Sequence, residues 1–277
     1  MDNFITEMSP WKTLPTHAAD AQVFAIGDVH GQADTLAATL DAIASVPRSH
    51  LVRRLIFLGD LIDRGPQSLA AIALYKSAGD LAMVDDVILL PGNHELMLLD
   101  GISEPDHFIC DWLDNGGDML IEEAVPGCTA RRLVELADIA RDAVGEEFLE
   151  FIRTCPTWHM EGNIFFIHAG LDPTAEPSEF LNQSRFGAVH ECHWAWIREP
   201  FLEWTGGWGD CKTWIVVHGH TPATMQVTNL KVLEKAADRV ATHGRLCLDA
   251  GSTLDLAQVA WAEFAAAKYR FCMTRRR

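Results

Sequence analysis

The sequence predicts an α/β fold built from βαβ units around a largely parallel core. Three observations carry this expectation. Short apolar runs alternate with stretches of helical periodicity through the first hundred residues. Each run stops at a short turn containing glycine. The second half then returns to short apolar runs separated by longer loops.

Residues 22–27 read Gln-Val-Phe-Ala-Ile-Gly, the pattern of a buried strand. Leu36, Leu40 and Ile43 recur at helical spacing and predict a helix over 32–45. A second strand is expected at 55–58. A helix over 66–77 should follow, with Pro66 in its first turn and Leu69, Ile72 and Ala73 on one face. Residues 87–90 read as the third strand, and another helix opens at 94–99. From about 101 to 155 the character changes: Phe108, Trp112 and Leu113, then Leu133, Leu136, Ala137 and Ala140, repeat at helical spacing. This stretch reads as a helical insertion over one edge of a single domain spanning 1–277. Strands are expected again at 163–167, 213–217, 246–248 and 258–264, the last alternating as if one face were exposed. Long loops cover 171–212. Arg275, Arg276 and Arg277 read as a solvated basic tail.

Composition narrows the function classes. The formal net charge of −17 disfavours general binding to nucleic acid or to anionic lipid. An anionic substrate stays compatible, because metal ions and arginines can reverse the field locally. The seven cysteines are odd in number and form no Cys-x-x-Cys pair. That disfavours a disulfide framework or a thiolate zinc site, fits a reducing cytosol, and leaves the cysteines as small core hydrophobes. No apolar stretch of about 18 residues occurs, so no membrane span or signal peptide is expected.

The chemistry-bearing residues fall where apolar runs end. Five clusters occur in order: Gly27-Asp28-Val29-His30-Gly31, Gly59-Asp60-Leu61-Ile62-Asp63-Arg64-Gly65, Gly92-Asn93-His94-Glu95, His168-Ala169-Gly170 and His218-Gly219-His220-Thr221. In open α/β sheets such strand ends converge on a ligand site. Carboxylate, imidazole and amide donors without thiolates suit Mn²⁺, Fe or Zn²⁺. Asp28 and His30, two residues apart, would point the same way in an extended segment. Asp60 could bridge two ions with its two oxygens, and ions about 3.5–4 Å apart would clamp a phosphoryl group and activate a water.

Together the five clusters resemble the calcineurin-like metallophosphoesterase superfamily, and more closely its phosphoprotein phosphatase branch. The resemblance implies a four-layer αββα sandwich with a helical insertion, and two divalent metal ions, with Mn²⁺ the leading expectation and Fe or Zn²⁺ the alternatives. It implies that Asp28 and His30 bind the first ion, that Asp60 bridges, and that Asn93, His168 and His218 complete the second. His94 would be the general acid, held by Asp63. Arg64 would bind phosphate oxygens, joined by Arg198, with Arg185 as the runner-up. Glu95 would support its loop, and His220 would orient a ligand or lie near the first ion. The implied activity is hydrolysis of phosphomonoesters on a phosphorylated protein, as in bacterial serine/threonine phosphatases. The alternative is a nucleotide substrate, as in symmetrical diadenosine tetraphosphate hydrolases. A non-catalytic module on the same fold is the reading of another class.

Some features stay outside this pattern. Residues 249–256 match the branch's glycine-rich turn only in part. His190-Glu191-Cys192-His193 has no standard metal spacing and reads as an ordinary helix turn. Trp204, Trp208 and Trp214 are expected in core or loop packing, with stacking on a nucleobase as the alternative.

Overall fold

A computed structural model of the chain describes residues 3–15, 20–187, 190–209, 211–224, 229–253 and 255–277. Leu254, within the partly matching turn, lies outside them. Among the described residues the strands are β1 (Phe4–Met8), β2 (Lys12–Thr13), β3 (Gln22–Ile26), β4 (Arg53–Phe57), β5 (Asp86–Leu89), β6 (Trp158–Glu161), β7 (Ile164–Ile167), β8 (Ile215–His218), β9 (Asp238–Arg239), β10 (Arg245–Cys247), β11 (Gln258–Ala265) and β12 (Lys268–Arg276). The helices are α1 (Ala33–Ala44), α2 (Ser68–Lys76), α3 (Ala78–Ala82), α4 (Asn93–Ser103), α5 (Pro105–Trp112), α6 (Asp118–Ala124), α7 (Leu133–Val144), α8 (Glu146–Thr154), α9 (Pro177–Leu181), α10 (Leu230–Ala237) and α11 (Val240–His243). A kink at Leu113–Gly117, with Gly116 at φ 106°, joins α5 to α6.

Two mixed sheets form, which is the α/β class expected. The first runs β1-β12-β11-β3-β4-β5, with β2 on β12; the second runs β6-β7-β8-β10-β9. Each is parallel only at its centre, β3-β4-β5 in one and β7-β8-β10 in the other. The flanks are antiparallel. Between β11 and β12 only Ala266 and Ala267 intervene, too short a link for a parallel crossover.

Both faces of β3 and β4 are buried, so alternate residues serve two cores. Val23, Ala25, Ile56 and Leu58 meet Ile164, Phe166, Ile215 and Val217 in the layer between the sheets. Phe24, Ile26, Leu55 and Phe57 pack outward with Leu36, Leu40 and Ile43 of α1. On the second sheet, Phe165 and Val216 face outward with Phe201 and Trp208. Helices α5 to α8 add Ile109, Trp112, Leu120, Ala137, Phe148 and Ile152 to this outer cluster.

Several local expectations are corrected. Pro66 precedes the N-cap Gln67 and does not sit in the first turn of α2. The buried face of α2 is Ser68, Ala71 and Ile72, while Ala73 is exposed. Strand β11 is buried on both faces, because α1 and the second sheet cover it from opposite sides. The backbone of Arg275 and Arg276 is not a loose tail but pairs with Ile5 and Phe4 in the β1–β12 ladder, while the side chains of Arg276 and Arg277 are exposed as expected. Three cysteines (Cys155, Cys247 and Cys272) are buried, whereas Cys110, Cys192 and Cys211 are exposed. No described helix is long and apolar enough to cross a membrane.

Candidate metal centre

The parallel centres of the two sheets end at the same edge of the molecule, and the polar clusters follow those strands. Five of the eight described non-glycine residues with positive φ lie there: His30 (46°), Asp60 (50°), Asp63 (68°), Arg64 (64°) and His220 (65°). Such conformations cost of order 1–3 kcal/mol each and persist where the surroundings over-determine them. The extended reading of Asp28 and His30 therefore fails. A left-handed turn at His30, not strand alternation, brings its ring to the carboxylates. Glycine is required at two close approaches: a Cβ on Gly92 would lie 2.1 Å from Asp60 Oδ1, and one on Gly219 would lie 2.0 Å from Asp28 Oδ1.

Asp60 sits at the middle. Its Oδ1 is 3.4 Å from His168 Nε2 and accepts from the His94 amide at 3.1 Å; its Oδ2 is 3.6 Å from His30 Nε2. Asn93 Oδ1 is 3.0 Å from His168 Nε2 and 2.8 Å from His220 Nδ1. The Asp28 carboxylate accepts from the His220 amide at 3.0 Å, and its Oδ2 is 4.0 Å from His30 Nε2. Two metal-sized groupings share Asp60: His30 and His94 on one side, His168 and His220 on the other.

Hydrogen bonds fix which imidazole nitrogens are bare. His30 Nδ1 donates to the Ile62 carbonyl at 3.0 Å, His168 Nδ1 to Leu58 at 2.8 Å, and His220 Nε2 to Trp196 at 3.1 Å. A carbonyl only accepts, so the opposite nitrogen of each ring presents a lone pair. Those lone pairs point at Asp60 and at the Asn93 oxygen. Around His168 and His220 acceptors face acceptors, which repel at this spacing unless a cation lies among them, so the donor set there fits divalent metal, while His30 Nε2 accepts from Arg64 Nη1. Burial, the largest influence, holds His30, His168 and His220 below the usual imidazole range, neutral as ligands must be. Burial pushes Asp60 up, but His168, His94 and His30 outweigh it and hold it below the ordinary carboxylate range.

His218 is a correction. It is the last residue of β8 and shares the outward face of Val216, so its ring packs edge-on to Phe201 at 4.9 Å. Its Nδ1 bonds the Gly219 carbonyl and its Nε2 lies 3.4 Å from Arg245. His220, past the strand end and turned by its positive φ, takes the place beside Asn93 and His168.

The remaining site residues divide by what they touch. His94 Nδ1 lies 2.9 Å from Asp63 Oδ2, and both are fully buried. Burial, the largest influence, opposes charging of His94, but Asp60 and Asp63 outweigh it and raise its pKa above the usual imidazole range. Its Nε2 is buried without a hydrogen-bond partner among the described residues. Glu95 accepts from the amides of Asp60, Leu61 and Gly92 at 2.9, 2.8 and 2.7 Å, tying two loops together. Arg64 Nη1 rests on His30 Nε2 at 3.0 Å. Arg198 is exposed, and its charge reaches His220. Arg185 is committed elsewhere: its guanidinium binds the carbonyls of Ile152 and Cys155. His193 of the His-Glu-Cys-His run bonds the Ser184 carbonyl within a turn, not a helix, and Trp208 and Trp204 bond main-chain carbonyls.

Two residues near the site went unread in the sequence. Asp249, buried at the end of β10, faces Asp28 and accepts from the Gly251 amide at 2.7 Å. Its signal was the same apolar run closed by Asp and Gly. Trp112 donates its indole N–H to Asp63 Oδ2 at 2.9 Å from 49 residues away, and no local pattern announces that.

The family model described as Calcineurin-like phosphoesterase matches residues 21–245. A Dechloromonas aromatica protein named bis(5'-nucleosyl)-tetraphosphatase, symmetrical, is 34% identical over 150 residues, covering 54% of this chain and 44% of that protein. Serine/threonine-protein phosphatase 1 of Salmonella typhimurium is 38% identical over 96 residues, 35% of this chain and 39% of that one. A Bacillus subtilis protein named bis(5'-nucleosyl)-tetraphosphatase PrpE (asymmetrical) is 27% identical over 210 residues, 71% of this chain and 78% of that one. The matches to the first relatives span less than half of those proteins' lengths.

Proposed function

The chain belongs to the calcineurin-like phosphoesterase family, and from that premise we propose that it is a Mn²⁺-dependent phosphoesterase hydrolysing phosphomonoesters, with a serine/threonine-phosphorylated protein as the leading substrate. The observation that carries the reading is the convergence of bare imidazole, amide and carboxylate donors around Asp60, with a buried His94–Asp63 pair beside them.

In this reading Asp28, His30 and Asp60 hold one ion, and Asp60, Asn93, His168 and His220 hold the other. The ions, when bound, supply Lewis acidity, activation of water and neutralisation of phosphate charge. The chain's own groups do the rest. Arg64 and Arg198 offer planar forks to phosphate oxygens. His94, protonated on Nε2 and held through Nδ1 by Asp63, gives a proton to the leaving oxygen as the phosphorus–oxygen bond breaks. The seven free cysteines support a cytoplasmic setting.

A second reading, symmetrical hydrolysis of a dinucleoside tetraphosphate, draws support from the names of several relatives. The same centre serves either substrate, so the test is a side-by-side assay. Purified protein with Mn²⁺ is given a phosphoserine peptide, diadenosine tetraphosphate and an aryl phosphate. Turnover of the peptide supports the leading reading, and turnover of the dinucleotide alone replaces it with the second. No Mn²⁺-dependent hydrolysis of any of them, with no metal retained, would point to a non-catalytic module.

A further inference from the structure

Trp112 belongs to the helical insertion, yet its side chain reaches the acid–base pair. Its indole Nε1 donates to Asp63 Oδ2 at 2.9 Å, and His94 Nδ1 meets the same oxygen at 2.9 Å. Trp112, Asp63 and His94 are all fully buried. Asp63 also donates its amide to the Ser68 hydroxyl at 2.9 Å, and its other carboxylate oxygen, Oδ1, has no hydrogen-bond partner among the described residues.

The local sequence Trp112-Leu113-Asp114-Asn115-Gly116-Gly117 is shaped for this contact. Gly117 lies under the indole, where a Cβ would come within 2.2 Å of Cε2. Gly116, at φ +106°, accepts from the Arg64 amide at 3.0 Å and packs against it. One turn of the insertion thus grips two consecutive residues of the phosphate loop.

We infer that Trp112 is a positioning residue for the His94 acid, its indole N–H fixing the Asp63 carboxylate that orients the imidazole. The inference rests on the phosphoesterase reading above. A carboxylate held by a single imidazole can tilt with it; a second, rigid donor on the same oxygen removes that freedom. The donor also satisfies a buried carboxylate oxygen that His94 alone would otherwise hold.

The test is Trp112→Phe, which keeps an aromatic ring and deletes the donor. Benzothienylalanine at position 112, an isostere without N–H, is the second variant should Phe fold poorly. Phenyl phosphate has a poor leaving group that needs the proton; 2,4-dinitrophenyl phosphate does not. The expected result is a kcat loss of about 10- to 100-fold on phenyl phosphate. On the dinitrophenyl ester the loss stays within about threefold, with KM and bound metal unchanged. In a His94→Asn background the Trp112 substitution should add little, because both act on one step. Equal losses on the two esters, or none, with an active wild type would overturn the inference alone. A wild type without metal-dependent hydrolysis would overturn the underlying reading with it.

Discussion

The Nδ1 nitrogen of His220 lies 2.8 Å from the amide oxygen of Asn93, 127 residues away in the chain, while His218, two residues before it, turns to Phe201. The two histidines should therefore separate cleanly in a metal assay. His220→Ala is expected to lose about one metal equivalent and to lower turnover at least about 100-fold, the scale of a lost ligand or its support. His218→Gln should keep both ions and lose stability of about 1–3 kcal/mol from disturbed packing. Plasma mass spectrometry of dialysed proteins decides it: full metal in the first and depleted metal in the second would reverse the assignment.

Asp60 has an oxygen toward each grouping, so Asp60→Asn should weaken both ions, not one. Asparagine keeps the shape but offers one neutral oxygen. The His94 amide can still find that oxygen, so the fold should survive. We expect metal-dependent hydrolysis to fall below detection and circular dichroism to stay unchanged. Normal metal content with full turnover in this variant would remove Asp60 from the bridge.

Strands β3, β4, β5, β7 and β8 were legible because each is an apolar run closed by Gly, Asp, His or Asn. Strands β12 and β6 were not. In β12 the sequence Lys-Tyr-Arg-Phe-Cys-Met-Thr-Arg-Arg frames a continuous buried run, Phe271 to Thr274, with long charged side chains, two of which find partners in Glu263 and Glu7. In β6 the run Trp-His-Met-Glu carries too little apolar signal to stand out. The gathering of the polar clusters at one place was legible, and the choice between two histidines was not. His218 and His220 both close the same run, and only the end of the strand and the positive φ at His220 decide which ring turns inward. Trp112 shows the other limit: its partner is fixed by how the end of α5 docks, which no window of sequence contains.

The metal-free protein should lose stability as pH rises from about 6.5 to 8. Burial is the main cause raising Glu95 to about 7 and Asp28 well above the ordinary carboxylate value. A raised carboxyl is neutral in the native state at pH values where it is ionised in the unfolded chain. The native state then holds more protons, and unfolding becomes easier as pH climbs through the raised pKa. The buried histidines act the other way, because their native pKa values are lowered, but only below their unfolded value near 6.5. Above that pH the raised carboxyls decide, joined by His94, whose raised native pKa works in the same direction. Scanning calorimetry in chelator should show the unfolding temperature falling by about 2–4 °C per kcal/mol. Mn²⁺ would take the place of the proton on Asp28, so its stabilisation should be larger at pH 8 than at pH 6.5. A chelated protein that grows more stable across this interval would contradict the sign.

Gly219 tests whether the carboxylate of Asp28 has to sit where it does. The backbone there does not need a left-handed φ, so alanine is not excluded by conformation; the obstacle is contact, with a Cβ 2.0 Å from Asp28 Oδ1. Gly219→Ala must push the carboxylate away or drag the His220 turn with it, and both are site elements. Overpacking of this kind costs about 1–3 kcal/mol, which a chain of this size can absorb. Catalysis should not absorb it, since displacement by about 1 Å can cost about 100-fold. Gly79→Ala is the matched control: its nearest neighbour would be 3.7 Å from the new methyl, and it lies on α3 away from the strand ends. Turnover reduced about 100-fold in Gly219→Ala, with its unfolding temperature a few degrees below that of Gly79→Ala, is the expected pairing. Equal activity in the two variants would mean that the position of Asp28 is not critical to the reaction.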